Sequence, residues 1–258
     1  DPSEGTMAYG RYSRGYKALG FAAGSALIAP EAKPEFVDSY EVGLKKTFGR
    51  TFQLDAALYY LRYYDLQAPV SVRVGPTTVT SFVNVAQSVS EGLELDAIWR
   101  PTDALRITLA YSLDNTRIEK SATYVDVNDN VTTSPVSLVG NRLPQAPKNK
   151  VALNAGYSFF WQPGTLTLGA TYIYRDKAYA NVFTRSYNEA PSWDQVDLRA
   201  VWVAKSNKYT VIGYVRNVGD TKGYDAAIEA TQRSPPLLNG AQNLELTPPR
   251  TFGIELQY

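Results

Sequence analysis

The sequence contains no cysteine and no histidine. Without cysteine the chain has no disulfide, no thiolate metal site and no thiol nucleophile. Without histidine it also lacks the commonest general base and the commonest metal ligand. Few hydrolase or metalloenzyme mechanisms remain, so we expect no catalysis, no metal site and no cofactor. A Ser–Lys or Asp–Asp catalytic pair stays open at this point.

Long apolar runs are missing as well. No stretch of about 18 or more apolar residues occurs, which excludes a transmembrane helix. The net charge is +1 over 258 residues, which argues against a nucleic-acid-binding surface. The length fits one large or two ordinary domains. Because the chain begins at Asp1 rather than Met, we expect a processed product or a piece of a longer protein.

Alternation of apolar and polar residues fills most of the chain, and this period of two predicts strands. Leu105, Ile107 and Leu109, for example, alternate with Arg106 and Thr108. Prolines fall between the predicted strands or at their ends, as a backbone hydrogen-bond ladder requires. The fourth predicted strand is long, and we expect a bulge in it. The ten predicted strands cover residues 6–17, 36–48, 51–64, 80–100, 104–116, 148–160, 164–178, 192–203, 208–217 and 249–258.

The connections between these strands alternate between short and long. The short ones are made of turn-forming residues and read "FGRT", "PTDA", "WQPGT" and "KSNK". The long ones cover about 18–35, 65–79, 117–147, 179–191 and 218–248. This alternation is typical of an outer-membrane β-barrel, in which periplasmic turns are short and extracellular loops are long. A soluble β-sandwich binding module gives no reason for it.

Aromatic residues predict an interfacial girdle at each rim of such a barrel. The set beside the short turns and the terminus is Phe48, Phe52, Trp99, Phe159, Phe160, Trp161, Trp202, Tyr209 and Tyr258. The set towards the opposite rim is Tyr59, Tyr60, Tyr63, Tyr64, Tyr172, Tyr174, Tyr179 and Trp193. Between the girdles we expect a hydrated lumen wall with mutual salt bridges, in preference to a surface that binds a plug or substrate. Its charged residues are Glu41, Lys45, Glu94, Asp96, Arg106, Lys150, Asp197, Arg199 and Glu255.

Several segments resemble TonB-dependent outer-membrane transporters, in an order that covers essentially the whole chain. They are "MAYGRYSRGYKALGF", "PEFVDSYEVGLKKTF", "FVNVAQSVSEGLELDAIWRPTDALRITLAYS", "GNRLPQAPKNKVALNAGYSF", "YVRNVGDTKGYD" and "PRTFGIELQY". The resemblance implies an all-β fold, an antiparallel transmembrane β-barrel whose ten strands here would be the last ten of a roughly 22-strand plugged barrel. Residues 1–258 would then be the C-terminal part of the barrel domain, with the N-terminal plug domain and the earlier strands not represented.

The resemblance also implies a function, which is TonB-dependent active transport across the Gram-negative outer membrane by an integral protein. A ferric siderophore is the leading substrate, while cobalamin, haem or an oligosaccharide stays open. The implied partners are membrane lipid and lipopolysaccharide, the TonB complex through a missing plug, the barrel-assembly machinery, and the remaining barrel strands or a complementary chain. The alternative is a self-contained ten-strand outer-membrane barrel that acts as a passive porin, adhesin or enzyme.

Arginine and aromatic residues in or near the long loops are candidates for binding an anionic, aromatic ferric chelate. Arginine would supply charge-assisted hydrogen bonds, and the rings would supply stacking or cation–π contacts. Surface loops carry such residues without any function too. The run 126–130 resembles a calcium-type oxygen cluster, but we prefer to interpret it as a turn-rich loop. The candidates are Tyr63, Tyr64, Arg73, Arg117, Tyr124, Arg142, Arg175, Tyr179, Tyr187, Trp193 and Arg233.

The last ten residues, "PRTFGIELQY", keep strict alternation to the end of the sequence. Their apolar members are Phe252, Ile254, Leu256 and Tyr258, which would share one face of a closing strand. The resemblance implies that this strand with its terminal aromatic is the signal read by the barrel-assembly machinery.

Overall fold

The computed structural model describes residues 5–20, 32–74, 77–129, 134–228 and 243–258. Ten strands form one antiparallel sheet in which each strand pairs with the next along the chain, which confirms the all-β prediction and its strand count. The strands are β1 (Thr6–Lys17), β2 (Glu35–Phe48), β3 (Phe52–Val74), β4 (Thr77–Trp99), β5 (Leu105–Lys120), β6 (Asn149–Trp161), β7 (Gly164–Arg175), β8 (Trp193–Ala204), β9 (Thr210–Arg216) and β10 (Thr251–Gln257). Among the described residues, no helix has the length and apolar character needed to cross a membrane.

The register of the sheet sorts the alternating residues onto an apolar face and a polar face. One row of directly opposed residues across five strands is Leu44, Ala56, Leu95, Tyr111 and Val151. The adjacent row, one residue along, is Lys45, Asp55, Asp96, Ala110 and Ala152. Because side chains alternate between faces, a register slip of one residue would exchange the two sets.

The same register divides the aromatic residues that were predicted to form the second girdle. Tyr60, Tyr64, Tyr172 and Tyr174 share rows with the apolar face. Tyr59 lies opposite Gly92, and Trp193 lies opposite Arg175, both on the polar face. Fewer aromatic residues therefore lie on the apolar face at the long-loop rim than their positions along the chain predicted. The reason is that neighbouring tyrosines point to opposite sides of the sheet.

Long and short connections alternate as predicted, with one correction. The segment 65–79 was predicted to be a loop, but β3 and β4 stay paired through it until Val74 meets Thr77. The hairpin therefore extends well beyond the rest of the sheet at its long-loop end. The bulge that was expected in the fourth strand lies in the fifth instead. The pairing shifts between Gln87 and Ser88, and the extra residue is Glu119 of β5.

The buried hydrophobic core lies at the long-loop end, outside the regular part of the sheet. It is formed by Ala68, Val70, Val85, Ile118, Leu138, Val182 and Phe183. These residues come from the extended β3–β4 hairpin, the end of β5 and the connections 121–148 and 176–192. We call this assembly the loop platform. It supplies the apolar contacts that keep the β3–β4 hairpin regular beyond the wall of the sheet.

Candidate ligand-binding site

The loop platform joins two long connections that are far apart in sequence. Short ladders stabilise each connection, Thr123–Tyr124 with Val136–Ser137 and Ala178–Tyr179 with Glu189–Ala190. Across the two connections, the Asn141 side-chain amide donates to the Val182 carbonyl at 2.8 Å. These direct contacts make the connections one packed unit rather than separate loops.

A polar network reinforces the joint between the same two connections. The Tyr187 hydroxyl donates to the Asp126 carboxylate at 2.8 Å, and the Arg185 guanidinium lies 3.1 Å from the Asp129 carboxylate. Burial, followed by the hydrogen bond to Asp126, raises the pKa of Tyr187 well above its ordinary value. The Asp129 amide donates to the Asp126 carbonyl at 3.1 Å, so the interpretation of this segment as a turn is confirmed. Asn130 lies outside the described residues.

Four of the candidate ligand-binding residues are used in building the platform. Tyr187 is the first. The Tyr124 hydroxyl donates to the Asn84 carbonyl at 2.9 Å while its ring packs on the core. The Arg142 guanidinium donates to the Ala146 carbonyl at 2.8 Å. Tyr179 receives the Lys177 ammonium over its ring, 5.7 Å from the centroid. Each of the four side chains therefore has a partner within the fold. This is the outcome expected if these residues stabilise the loops and do not bind a ligand.

Two further candidates lie on the apolar face rather than on the polar one. Tyr64 is directly opposite Phe36, and the Arg62 guanidinium lies 5.8 Å from the centre of its ring. Arg117 contacts Glu91 at 2.7 Å and Glu119 at 3.1 Å, so two carboxylates surround its charge. Tyr63, on the polar face, is separated from both. The side chain of Arg73 and the whole of Arg233 lie outside the described residues.

The remaining two candidates, Arg175 and Trp193, lie together on the polar face of the sheet. They lie beside Lys150, which was predicted only as a charged residue of the lumen wall. Arg175 lies directly opposite Trp193 on one side and directly opposite Lys150 on the other. The Trp193 indole N–H donates to the Tyr224 carbonyl at 2.9 Å, and Arg175 donates to the Asp225 carbonyl. These hydrogen bonds hold both side chains beneath the loop that follows β9. We call Lys150, Arg175 and Trp193 the cationic cluster.

The cationic cluster lines a cleft of about 470 Å³ on the polar face, which also includes Glu94, Asp96 and Asp225. Like charges placed directly opposite each other across a strand pair are destabilising. The side chain of Lys150 forms no hydrogen bond or ion pair with any other described residue. An anionic group bound between Lys150 and Arg175 would relieve this repulsion, and the Trp193 ring offers an apolar surface beside it.

The expectation of mutual salt bridges along the polar face is wrong for most of the predicted wall charges. Of the nine predicted wall charges, Lys45 alone forms an ion pair within the described residues, with Asp55 at 3.9 Å. The register explains the difference, because it sets neutral residues opposite most of the charges. Glu94 faces Ser112, and Arg106 faces Gly156.

Comparison with known proteins gives one family model and several relatives. Residues 1–218 match the family model described as TonB dependent receptor-like, beta-barrel. A curated relative, the probable TonB-dependent siderophore receptor PiuA of Acinetobacter baumannii, is 27% identical over 250 residues. That alignment covers 92% of this chain and 32% of PiuA. The chain therefore spans about a third of this relative's length.

Solved structures of similar fold include receptors and a transporter. The ferric yersiniabactin uptake receptor FyuA from Yersinia pestis superposes with a TM-score of 0.74 at 18% identity, over 98% of this chain and 35% of FyuA. The copper transporter OprC superposes with a TM-score of 0.68 at 14% identity, over 98% of this chain and 37% of OprC. At such identities the likeness concerns the fold alone, and the fold carries proteins named for different cargoes.

Proposed function

Because the chain belongs to the TonB-dependent receptor-like β-barrel family, we propose that it forms the C-terminal part of a receptor that actively transports a ferric siderophore across the Gram-negative outer membrane. The ten strands belong to an integral outer-membrane β-barrel. Their apolar face contacts lipid and their polar face lines the lumen. Transport by such a receptor requires substrate binding and release, and no bond of the substrate needs to be broken by this chain.

The proposal includes parts of the receptor beyond these ten strands. The sheet order begins at β1 and ends at β10, which are not paired with each other. An open sheet edge is not tolerated in the hydrocarbon region, because its N–H and C=O groups would be unsatisfied there. We therefore assign the other strands of a roughly 22-strand barrel, an N-terminal plug and a TonB contact through that plug to the remainder of the receptor.

The observation that carries the substrate assignment is the pair of directly opposed cations, Lys150 and Arg175, at the lumen wall beneath the loops. Together with Trp193 they fit an anionic ferric chelate with aromatic ligand groups, and the bound iron is cargo rather than a resident metal. This cluster replaces the broader set of loop residues as the proposed ligand contact. The four platform residues named above have partners within the fold, and we assign them no ligand contact.

A charge comparison tests this assignment in the full-length receptor. The double variant Lys150→Gln/Arg175→Gln should weaken binding of an anionic ferric tris-catecholate by roughly tenfold or more, since hydrogen bonds to charged groups contribute about 1.5–3 kcal/mol each. Binding of a neutral ferric trihydroxamate should change much less. The matched control is Arg106→Gln, which removes a polar-face cation nearer the short turns. Equal weakening for both chelates, or none for the anionic one, would remove the substrate assignment.

The alternative is a self-contained ten-strand barrel that acts as a porin, adhesin or enzyme. It requires β1 to pair with β10, which the described sheet does not do. Intact mass of the protein purified from outer membranes distinguishes the two. A species of 28.5 kDa found alone in the membrane, with no larger or complementary chain, would favour the alternative and contradict the receptor.

A further inference from the structure

The apolar face carries an unbalanced charge at its long-loop end, on β1 to β3. Arg14, Asp38 and Arg62 are directly opposed in one row across these strands. The Arg14 guanidinium lies 3.1 Å from the Asp38 carboxylate, which also accepts a hydrogen bond from the Tyr12 hydroxyl at 3.0 Å. Arg62 forms no ion pair within the described residues. The Arg62 guanidinium donates instead to the side-chain oxygen of Gln87, which is neutral. Asp38 therefore neutralises Arg14 alone, and the positive charge of Arg62 remains in the row.

Aromatic residues enclose this row from both sides along the strands. The row on the short-turn side contains Tyr12, Tyr40 and Tyr60, and the row on the loop side contains Tyr16, Phe36 and Tyr64. Neighbouring rings are in contact, with centroids 5.2 Å apart for Tyr12 and Tyr40. The Arg14 guanidinium lies 5.7 Å from the centre of the Phe36 ring. We call Arg14, Arg62 and these two aromatic rows the arginine–aromatic patch.

The patch lies at the outer boundary of the hydrocarbon layer. Phe48 marks the short-turn rim of β2, and Asp38 is about ten residues from it along the strand. At about 3.3 Å per residue and a strand tilt of about 40°, this is a height of about 25 Å. That height matches the apolar band of an outer-membrane barrel, so the guanidinium groups reach the level of the outer-leaflet headgroups.

We propose that the arginine–aromatic patch is a binding site for a phosphate group of lipopolysaccharide in the outer leaflet. Arginine presents a planar fork of N–H donors that fits phosphate. Asp38 uses only some of the Arg14 donors, and Gln87 uses only some of the Arg62 donors. Tyrosine rings are favoured at the boundary between acyl chains and headgroups, where one end of the ring is apolar and the other is hydrated. The residual positive charge then meets an anionic lipid surface.

Other parts of the same rim differ, which confines the site to β1–β3. On β5, Arg117 is compensated by both Glu91 and Glu119. Further round the sheet, the side chain of Asn149 on β6 donates to Asp176, just beyond β7, at 2.7 Å, so this part of the rim carries a carboxylate. The lipid proposal depends on the outer-membrane location alone and is independent of the transported substrate.

Retention of lipid by the full-length receptor tests the proposal. Receptor purified from outer membranes is analysed by native mass spectrometry for bound lipopolysaccharide, and its lipid retention is compared after reconstitution into nanodiscs that contain either lipopolysaccharide or phosphatidylglycerol. The variant Arg14→Gln/Arg62→Gln should retain roughly tenfold less lipopolysaccharide, since each arginine near an anionic surface contributes about 1 kcal/mol. Its retention of phosphatidylglycerol should fall by clearly less, because that lipid carries one phosphate whereas lipopolysaccharide carries several. The single variant Arg62→Gln, which leaves the Arg14–Asp38 pair intact, should show part of the loss.

Two control variants separate a lipid site from a general effect of charge. Arg106→Gln/Arg199→Gln removes the same number of arginines from the polar face, and Arg117→Gln removes the compensated arginine from the apolar face. Neither should alter lipopolysaccharide retention. Unchanged retention in Arg14→Gln/Arg62→Gln, an equal loss in either control, or an equal loss of phosphatidylglycerol binding would overturn the proposal.

Discussion

The wall of the sheet and the loop platform bury apolar side chains in different ways. On the wall, Leu58 of the inner strand β3 is 56% exposed, because one layer of strands has nothing packed on its apolar face. In the platform, Val85 and Leu138 have no exposed surface at all. The wall thus depends on lipid as its second layer, whereas the platform encloses its own core as a water-soluble domain does.

This difference bears on how the proposed ligand would reach the polar face. Since the connections 121–148 and 176–192 share one core, either of them can open only by exposing apolar residues such as Ile118 and Val182. We therefore expect the platform to behave as one rigid body. The cationic cluster lies on the polar wall, where strands rather than loop contacts fix the positions of Lys150 and Arg175.

The largest effect should come from removing a core side chain of the platform. Leu138→Ala deletes a fully buried side chain, and such changes cost about 2–5 kcal/mol. Because the platform core is separate from the wall, we expect faster protease cleavage of the long connections with no change in barrel assembly. Limited proteolysis of intact cells measures the first, and heat-modifiable migration on gels measures the second.

The neighbouring residue provides the control. Val139→Ala changes a side chain that is 53% exposed and should leave cleavage unchanged. If Leu138→Ala instead reduced assembly as strongly as it increased cleavage, the platform and the wall would form one cooperative unit rather than two independent ones.

The next effect concerns tight packing within the wall. A Cβ atom on Gly92 would lie 1.9 Å from the Leu113 carbonyl oxygen and 2.6 Å from the Tyr59 hydroxyl. Gly92→Ala therefore forces a shift of backbone, and overpacking of this kind costs about 1–3 kcal/mol. Gly213→Ala is the matched control, since no atom lies within 4 Å of its added Cβ.

We expect Gly92→Ala to lower the temperature at which the assembled barrel unfolds, as measured by the loss of the heat-modifiable form, while protease cleavage of the platform stays normal. Gly213→Ala should have little effect on either measurement. Equal effects of the two substitutions on unfolding would show that the close approach of Tyr59 to Gly92 does not determine the stability of the barrel.

The two regions also differ in how far the sequence predicted them. The wall followed from alternation, and most predicted strand ends lie within a few residues of those observed, because a lipid-facing strand must expose every second side chain. The β3–β4 extension was missed, although Val70 and Val72 continue the alternation beyond Tyr64 in the sequence. The prediction nevertheless ended the strand at Tyr64 and treated 65–79 as a connection, because a core supplied by distant loops could not be foreseen from the local pattern.

The candidate site was predicted only in part for a related reason. Arg175 and Trp193 were selected because they stand near long loops, and the sheet does set them opposite each other. Lys150 was treated as an ordinary wall charge, although it is the second residue of β6 while Arg175 ends β7, so the hairpin aligns them. Tyr64 and Arg117 were grouped with these residues because position along the chain does not tell which face a side chain occupies.

The smallest effect on stability should come from the last residue. The ring of Tyr258 is 96% exposed and contacts Tyr209 with a centroid distance of 5.3 Å, a contact worth about 0.5–1.5 kcal/mol. Deletion of Tyr258 should nevertheless reduce the amount of receptor at the cell surface several-fold while leaving ligand affinity unchanged, if the closing strand with Phe252, Ile254 and Leu256 is the assembly signal. Tyr209→Ala removes the same ring contact but keeps the terminus, so it should assemble normally. Normal surface levels after the deletion, or an equal loss in Tyr209→Ala, would mean that Tyr258 acts through packing on the wall rather than through recognition during assembly.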